Sequence, residues 1–208
     1  MRPLHINNLG VISHSNADEL MRVMQSKRID DEIEDTILVC QHEEIVTVGP
    51  RARNDGISPP RGYDTSSVDR GGGLTWHGPG QLVVYPIIKW DKDGESNVKA
   101  VIAILEEWVI SALAQLGVEG RRDTRMQGVW VGENKICSIG LSFLRWTSRH
   151  GLTVNCDTPP GRVEMVSGCG LGQDTTTSLA ALGYEITTEM VLNALISNAG
   201  CLSREISS

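Results

Sequence analysis

Chemistry in this chain would come from three sources: five scattered cysteines, one lysine behind a tight turn, and a short run rich in glycine. The run Arg70-Gly71-Gly72-Gly73-Leu74-Thr75-Trp76-His77-Gly78-Pro79-Gly80-Gln81 holds five glycines in twelve residues. Glycine reaches backbone conformations other residues resist and lets a ligand lie against peptide N–H groups. Arg70, Thr75, His77 and Gln81 add convergent polar groups of the kind a pocket uses. A plain turn between strands, with His77 hydrogen-bonded for structure, is the competing reading. No G-K-[ST] closes the run, so it is not a P-loop. The spacing and following helix of a dinucleotide fingerprint are also missing.

The cysteines are Cys40, Cys137, Cys156, Cys169 and Cys201. An odd count without C-x-x-C predicts a reduced, cytoplasmic chain, and no zinc site is expected. Cys137 and Cys156 lie in apolar strand patterns and Cys40 ends another, where packing is the default; Cys201 lies in the tail. Cys169, in Ser167-Gly168-Cys169-Gly170-Leu171-Gly172, has glycines on both sides that leave its sulfur approachable and free local N–H groups for an oxyanion. A loop cysteine can equally be incidental. Lys135 opens a strand after Gly132-Glu133-Asn134, where a solvated turn lysine is the ordinary reading.

The elements that must carry these groups are mixed. Thr36–Cys40, Ile45–Val48 and Leu82–Ile88 read as strands, with Pro86 pushing its part toward an edge or bulge. Asn16 is expected to cap a first helix, with Glu19 as its capping-box partner. Arg51 to Ser67 reads as a long irregular loop. Apolar residues from Asn97 to Leu116 recur at helical spacing, with Gly117 as the stop. Val129–Val131, a tight turn and Lys135–Leu141 form a hairpin pattern. Gly151–Asn155 is another strand, a short helix is expected at Ser178–Leu182, and a last one at Thr188–Ser197. The fold class is therefore α/β (α+β), a mixed sheet flanked by helices, in one domain spanning 1–208.

The 208 residues are 40% hydrophobic, enough for a core without staples. A net charge of −7 argues against nucleic acid, and five Trp, three Tyr and one Phe leave little for base stacking. No apolar run approaches a membrane span, and the start of the chain has no apolar h-region.

The run Arg70 to Pro86, RGGGLTWHGPGQLVVYP, closely resembles the signature of the lipoyl(octanoyl) transferases. Gln41–Gly49 is similar to the family's strand ending in T-x-G. Gly128-Val129-Trp130-Val131 with Lys135–Gly140 resembles its G-V-W-V and K-I-x-x-I-G segments. His150–Asn155 resembles its H-G-x-x-x-N strand, and Cys169-Gly170 with Thr177-Ser178-Leu179 its C-G and T-S-L elements. The resemblance implies the fold of the biotin/lipoate protein ligase catalytic domain. It also implies transfer of an octanoyl group from acyl carrier protein to a lysine of lipoyl domains, as in 2-oxoacid dehydrogenase E2 subunits and the glycine cleavage H protein. Cys169 would carry the acyl thioester and Lys135 would be its acid–base partner. The acyl pocket would be walled by Arg70, Gly71, Gly72, Gly73, Leu74, Thr75, Trp76 and His77, by Ser138, Ile139 and Gly140, and by His150, Gly151, Leu152 and Thr153. No cofactor is implied. Gly168 stands where the family usually has proline, which loosens the loop. Because the implied partners are acidic, a docking patch is expected among Arg51, Arg53, Arg61, Arg121, Arg122 and Arg125. An ATP-dependent lipoate–protein ligase, a thioesterase and a non-catalytic acyl-binding or carrier-binding module are the alternatives. A biotin ligase fits less well because its G-R-G-R-x-type loop is absent.

Overall fold

The computed structural model describes residues 2–166 and 175–207. Two strands explain the layering. In β2 (Asp35–Gln41) and β6 (Gln81–Ile87), every residue but Gln41 is buried. Side chains alternate across a strand. Ile37, Val39, Leu82 and Val84 enter one core, while Leu38, Cys40, Val83, Tyr85 and Ile87 enter another on the opposite face. The first core is covered by α3 (Val98–Gln115) and α4 (Thr188–Ser197), the second by α1 (His14–Ile29). A sheet covered on both sides needs strands apolar on both faces, as these are.

β2 and β6 sit inside a mixed seven-stranded sheet. It also holds β1 (Arg2–Val11), β7 (Val129–Val131), β8 (Asn134–Leu144), β9 (Thr147–Asn155) and β10 (Arg204–Ile206), in the order β10-β1-β2-β6-β9-β8-β7. β1 runs parallel to β10 and β2, and the other pairs are antiparallel. A second sheet of β4 (Thr65–Ser67), β3 (Ile45–Val48) and β5 (Leu74–His77) stands beside it over a small core containing Val46, Trp76, Val163 and Val166.

Three sequence expectations change. The α1 cap is Ser13, whose Oγ accepts from the Asn16 N–H at 3.3 Å, so Asn16 is the capped residue and not the cap. Segment 51–67 is not structureless: it contributes most of α2 (Pro50–Asn54), opened by a proline whose missing N–H is no loss there, and it contains β4. Pro86 lies in an interior strand, paired with Ile37 of β2, and the register between β6 and β9 is the same on both sides of it, so it marks neither an edge nor a bulge but a gap in the ladder. The β6–β9 ladder stops at Val84–Leu152 and resumes at the Lys89–Thr147 bridge. In the gap Ser148 Oγ donates to the Pro86 carbonyl.

Candidate active site

The two sheets enclose a cavity of about 510 Å³. One wall is the glycine run and β5. The other is the stretch where β8 and β9 pair, Ser138 with Thr153, Ile139 with Leu152, and Gly140 with Gly151. Every residue the sequence placed in a pocket wall lines this one space: Arg70 to His77, Ser138 to Gly140, and His150 to Thr153. The close approach of the walls depends on Gly140, and its paired Gly151 lets β9 lie against the neighbouring β6. A Cβ at Gly140 would stand 2.7 Å from the Gly71 carbonyl, and one at Gly151 would strike the Val84 carbonyl. With none at Gly140, Gly71 N–H reaches the Leu141 carbonyl at 3.0 Å and fastens the glycine run to β8.

Lys135 also lines the cavity and is 4% exposed, so it is not a solvated turn lysine. Its Nζ donates to Met126 Sδ at 2.9 Å. Cys169 and Gly168 lie outside the described residues. The residues flanking them do not. Val163, Val166 and Thr176 all line the cavity. Thr176 bridges to Lys135 in parallel register, and Thr177 N–H donates to the Lys135 carbonyl at 3.0 Å. On the upstream side Arg162 pairs with Glu44, which also accepts from the Trp76 indole at 2.9 Å. Glu164 accepts from Thr177 Oγ1 at 2.8 Å, tying the two flanks together.

A hydrogen-bonded relay runs from the glycine wall to this place. Arg70 Nη2 donates to Thr47 Oγ1 at 2.7 Å, and Thr47 Oγ1 meets His77 Nε2 at 3.2 Å. His77 Nδ1–H donates to Gln81 Oε1 at 2.9 Å. Gln81 Nε2 donates to Asn155 Oδ1 at 2.8 Å, and Asn155 Nδ2 donates to the Thr177 carbonyl at 2.9 Å. The protonation pattern is assigned from the network: Gln81 uses its amide hydrogens on Asn155 and the Trp76 carbonyl, leaving its oxygen to accept. Both ring nitrogens of His77 are thus occupied. Burial, then His42 and His14, hold its pKa well below the ordinary histidine range, so His77 is a neutral wall residue and a poor proton carrier.

The inner end is richer in histidine than the sequence suggested. The rings of His14, His42 and His77 lie 5.5–5.9 Å apart in all three pairings. His14, on the first turn of α1, lines the cavity, as does Tyr85. Burial first, then the neighbouring His42, lowers His14 to about 4. A histidine depressed in the folded state binds fewer protons than in the unfolded chain between about 4 and 6.5. Stability therefore rises with pH across that window and is lost as pH falls. From pH 7 to pH 5, His14 alone should remove about 2 kcal/mol. Urea midpoints at the two pH values measure this, and His14→Gln should flatten the slope.

The remaining cysteines are packed. Burial pushes Cys40, Cys137 and Cys156 each up to about 12. Cys201 is only partly buried. Cys40 Sγ lies 3.7 Å from His42 Nε2, and no group of three or more possible metal ligands occurs among the described residues. Of the expected basic patch, the half formed by Arg121, Arg122 and Arg125 is neutralised within the fold, while Arg51, Arg53 and Arg61 are exposed. Arg121, Arg122 and Arg125 are paired with Asp123, Glu133, Glu106 and Glu107, three cations against four carboxylates. Arg53 braces the Val48 and Val68 carbonyls. Of the six arginines, only Arg51 and Arg125 border the cavity.

The family described as the lipoyl protein ligase A/B catalytic domain matches residues 16–199. An octanoyltransferase of Syntrophobacter fumaroxidans is 36% identical over 194 residues, covering 90% of this chain and 85% of the relative. One of Chloroflexus aurantiacus is 37% identical over 210 residues, covering 96% and 94%. Among solved structures, a bipartite lipoate protein ligase of Thermoplasma acidophilum superimposes with a TM-score of 0.71 at 14% identity, over 100% of this chain and 88% of that one. The biotin protein ligase of Aquifex aeolicus gives 0.57 at 14% identity, over 96% and 69%. These two similarities establish a shared fold.

Proposed function

The chain belongs to the lipoyl protein ligase A/B catalytic domain family and is an octanoyltransferase, and from that premise we propose that Cys169 and Lys135 carry the transfer. The donor is an octanoyl thioester on acyl carrier protein. The acceptor is a lysine of a lipoyl domain, in E2 subunits or the glycine cleavage H protein. Residues 1–208 act as one catalytic domain in the cytoplasm.

The observation that supports the pair is the fastening beside Lys135. Both flanks of the segment carrying Cys169 line the cavity, and Thr176 and Thr177 are bonded to the Lys135 strand. An ammonium near a thiol favours the thiolate over a starting pKa of about 8.5. The Cys169 thiolate adds to the thioester carbonyl, the carbon–sulfur bond to the carrier breaks, and Lys135 protonates the leaving thiolate. Neutral Lys135 then takes a proton from the incoming amine. The amine attacks the Cys169 thioester, an amide forms, and the Cys169 thiolate is released. No ATP enters, because one thioester exchanges for another and the amide lies downhill. The cavity, closed by β8, β9 and the glycine run, holds the acyl chain.

Intact-mass spectrometry after mixing with octanoyl carrier protein tests this. Wild type should gain one octanoyl group, and Cys169→Ser should gain none. No adduct on wild type, or an undiminished one on the variant, would sink the assignment. Turnover with free octanoate and ATP would point instead to a ligase.

A further inference from the structure

We propose that Asp69, on the residue before the glycine run, is a positioning residue that locks the acyl-binding wall to the central sheet. The inference rests on the acyl-pocket reading above. Its starting point is a strained backbone. His150 has φ near +60° in the middle of β9, a conformation that side-chain-bearing residues rarely adopt in a strand. In a regular strand Arg149 and His150 would point to opposite faces. Here both reach one carboxylate. Arg149 Nη2 pairs with Asp69 Oδ2, and His150 Nε2–H donates to Asp69 Oδ1 at 2.9 Å. The left-handed turn at His150 defeats the alternation and builds a two-pronged grip.

The grip is placed to matter. Asp69 is bonded to Arg70, and Gly71 N–H is held by the Leu141 carbonyl. At its upstream end the wall is therefore anchored to β9 through Asp69, which also accepts from Ser142 Oγ on β8 at 3.5 Å, and to the β8 backbone through Gly71, while Gln81 ties the far end of the run to Asn155. Asp69 is half exposed, but its partners are not: Arg149 and His150 are 6% and 2% exposed. Among the described residues Arg149 Nε and Nη1 find no hydrogen-bond partner, and the Asp18 carboxylate on α1 stands 3.5 Å from Nη1. Burial works to raise the Asp69 carboxyl, and the hydrogen bond from His150 with the charge of Arg149 outweighs it. Without the Asp69 charge, the buried arginine turns toward Asp18 alone and the grip on the wall is lost. The consequence falls on acyl binding and not on the chemistry at Lys135. His150 pairs with Leu141 on β8, six positions from Lys135, which at about 3.3 Å per residue is roughly 20 Å along the strand.

The test compares Asp69→Asn with Asp69→Glu in the full chain. Asparagine offers one acceptor oxygen and no charge, so it cannot hold both partners. Asp69→Asn should raise KM for octanoyl carrier protein about tenfold with kcat changed less than twofold, and should leave KM for the lipoyl domain alone. Hydrogen exchange at the Gly71 amide should quicken at least tenfold. Asp69→Glu, which keeps the charge at a half-exposed position with room for one more methylene, should restore most of both. Wild-type KM and wild-type Gly71 protection in Asp69→Asn would overturn the proposal, as would equal losses in Asp69→Asn and Asp69→Glu. If wild type takes up no octanoyl group, the acyl-transfer reading fails and the Gly71 exchange rate still decides the grip.

Discussion

Replacing Lys135 with methionine is expected to lower octanoyl transfer about a thousandfold while leaving the chain folded. The side chain is 4% exposed, so its apolar stem packs in the wall, and methionine reproduces that stem. What disappears is the ammonium, and two losses multiply. A thiol of ordinary pKa is only about 3% thiolate at pH 7, so removing a charge that favours the thiolate costs up to about thirtyfold. Removing the proton carrier for the leaving thiol and the incoming amine costs roughly a further hundredfold. Lys135→Arg separates the two. Arginine keeps the charge but does not release a proton in a protein. It should alkylate at Cys169 nearly as fast as wild type with iodoacetamide, yet turn over slowly. Single-turnover rates with octanoyl carrier protein, read beside the alkylation rates, check this. A Lys135→Met rate within tenfold of wild type would remove the lysine from the mechanism.

The parts of this site that could be read in the sequence are those whose residue types carry their own structural reason. The run from Arg70 to Gln81 is legible because glycines and polar side chains alternate within twelve residues, and it becomes one wall. Helix α3 is legible because its apolar positions keep helical spacing between Asn97, whose side chain accepts from Ala100 N–H, and Gly117. The cluster at the inner end is not legible in that way. His14, His42, His77 and Tyr85 come from α1, the end of β2, β5 and β6, and meet only because the topology brings those elements together. Asp69 shows the same limit: nothing local marks a single aspartate as the partner of two residues 80 positions on.

Backbone conformation hid other elements. β8 and β9 are joined through Arg145 and Trp146, both at positive φ, and neither residue announces a turn. Tertiary contacts compensate there: Trp146 stacks on Phe143 at 4.8 Å and donates its indole N–H to the Glu95 carbonyl. β1 carries Asn7, Asn8 and Gly10, poor strand formers, and is extended because β2 and β10 pair with it. The approach of Lys135 to 176–177 likewise follows from pairing across 41 residues, beyond any local pattern.

Arg204→Met should be the most destabilising substitution at the far edge of the sheet, costing roughly 3–5 kcal/mol and lowering the thermal midpoint by roughly 10 °C. Arg204 is 1% exposed and holds five hydrogen bonds. It donates to Asp35 at 2.7 Å, to both oxygens of Glu95, and to the Leu202 and Lys89 carbonyls, with its guanidinium 4.8 Å from the Trp90 ring centroid. Burial works against the charges of Asp35 and Arg204, and the pairing prevails: Asp35 stays below and Arg204 above its ordinary range. After the substitution Asp35 keeps Arg28 at 2.7 Å, but Glu95 is left 2% exposed without its guanidinium. Most of the loss should therefore trace to Glu95. Adding Glu95→Gln, which removes the stranded charge, should recover about half of it in a double-mutant cycle. Arg204→Lys should behave nearly as badly as methionine, because an ammonium cannot span Asp35 and both Glu95 oxygens. The β10 strand that Arg204 opens is only three residues long and pairs with β1 alone, so the ion cluster is what fixes it. Since β10 and the cavity lie at different parts of the sheet, KM for the octanoyl donor should not move in any of these variants at temperatures where they stay folded. Denaturant midpoints measure the loss, and a shift below about 1 kcal/mol for Arg204→Met would show that the cluster adds little to stability.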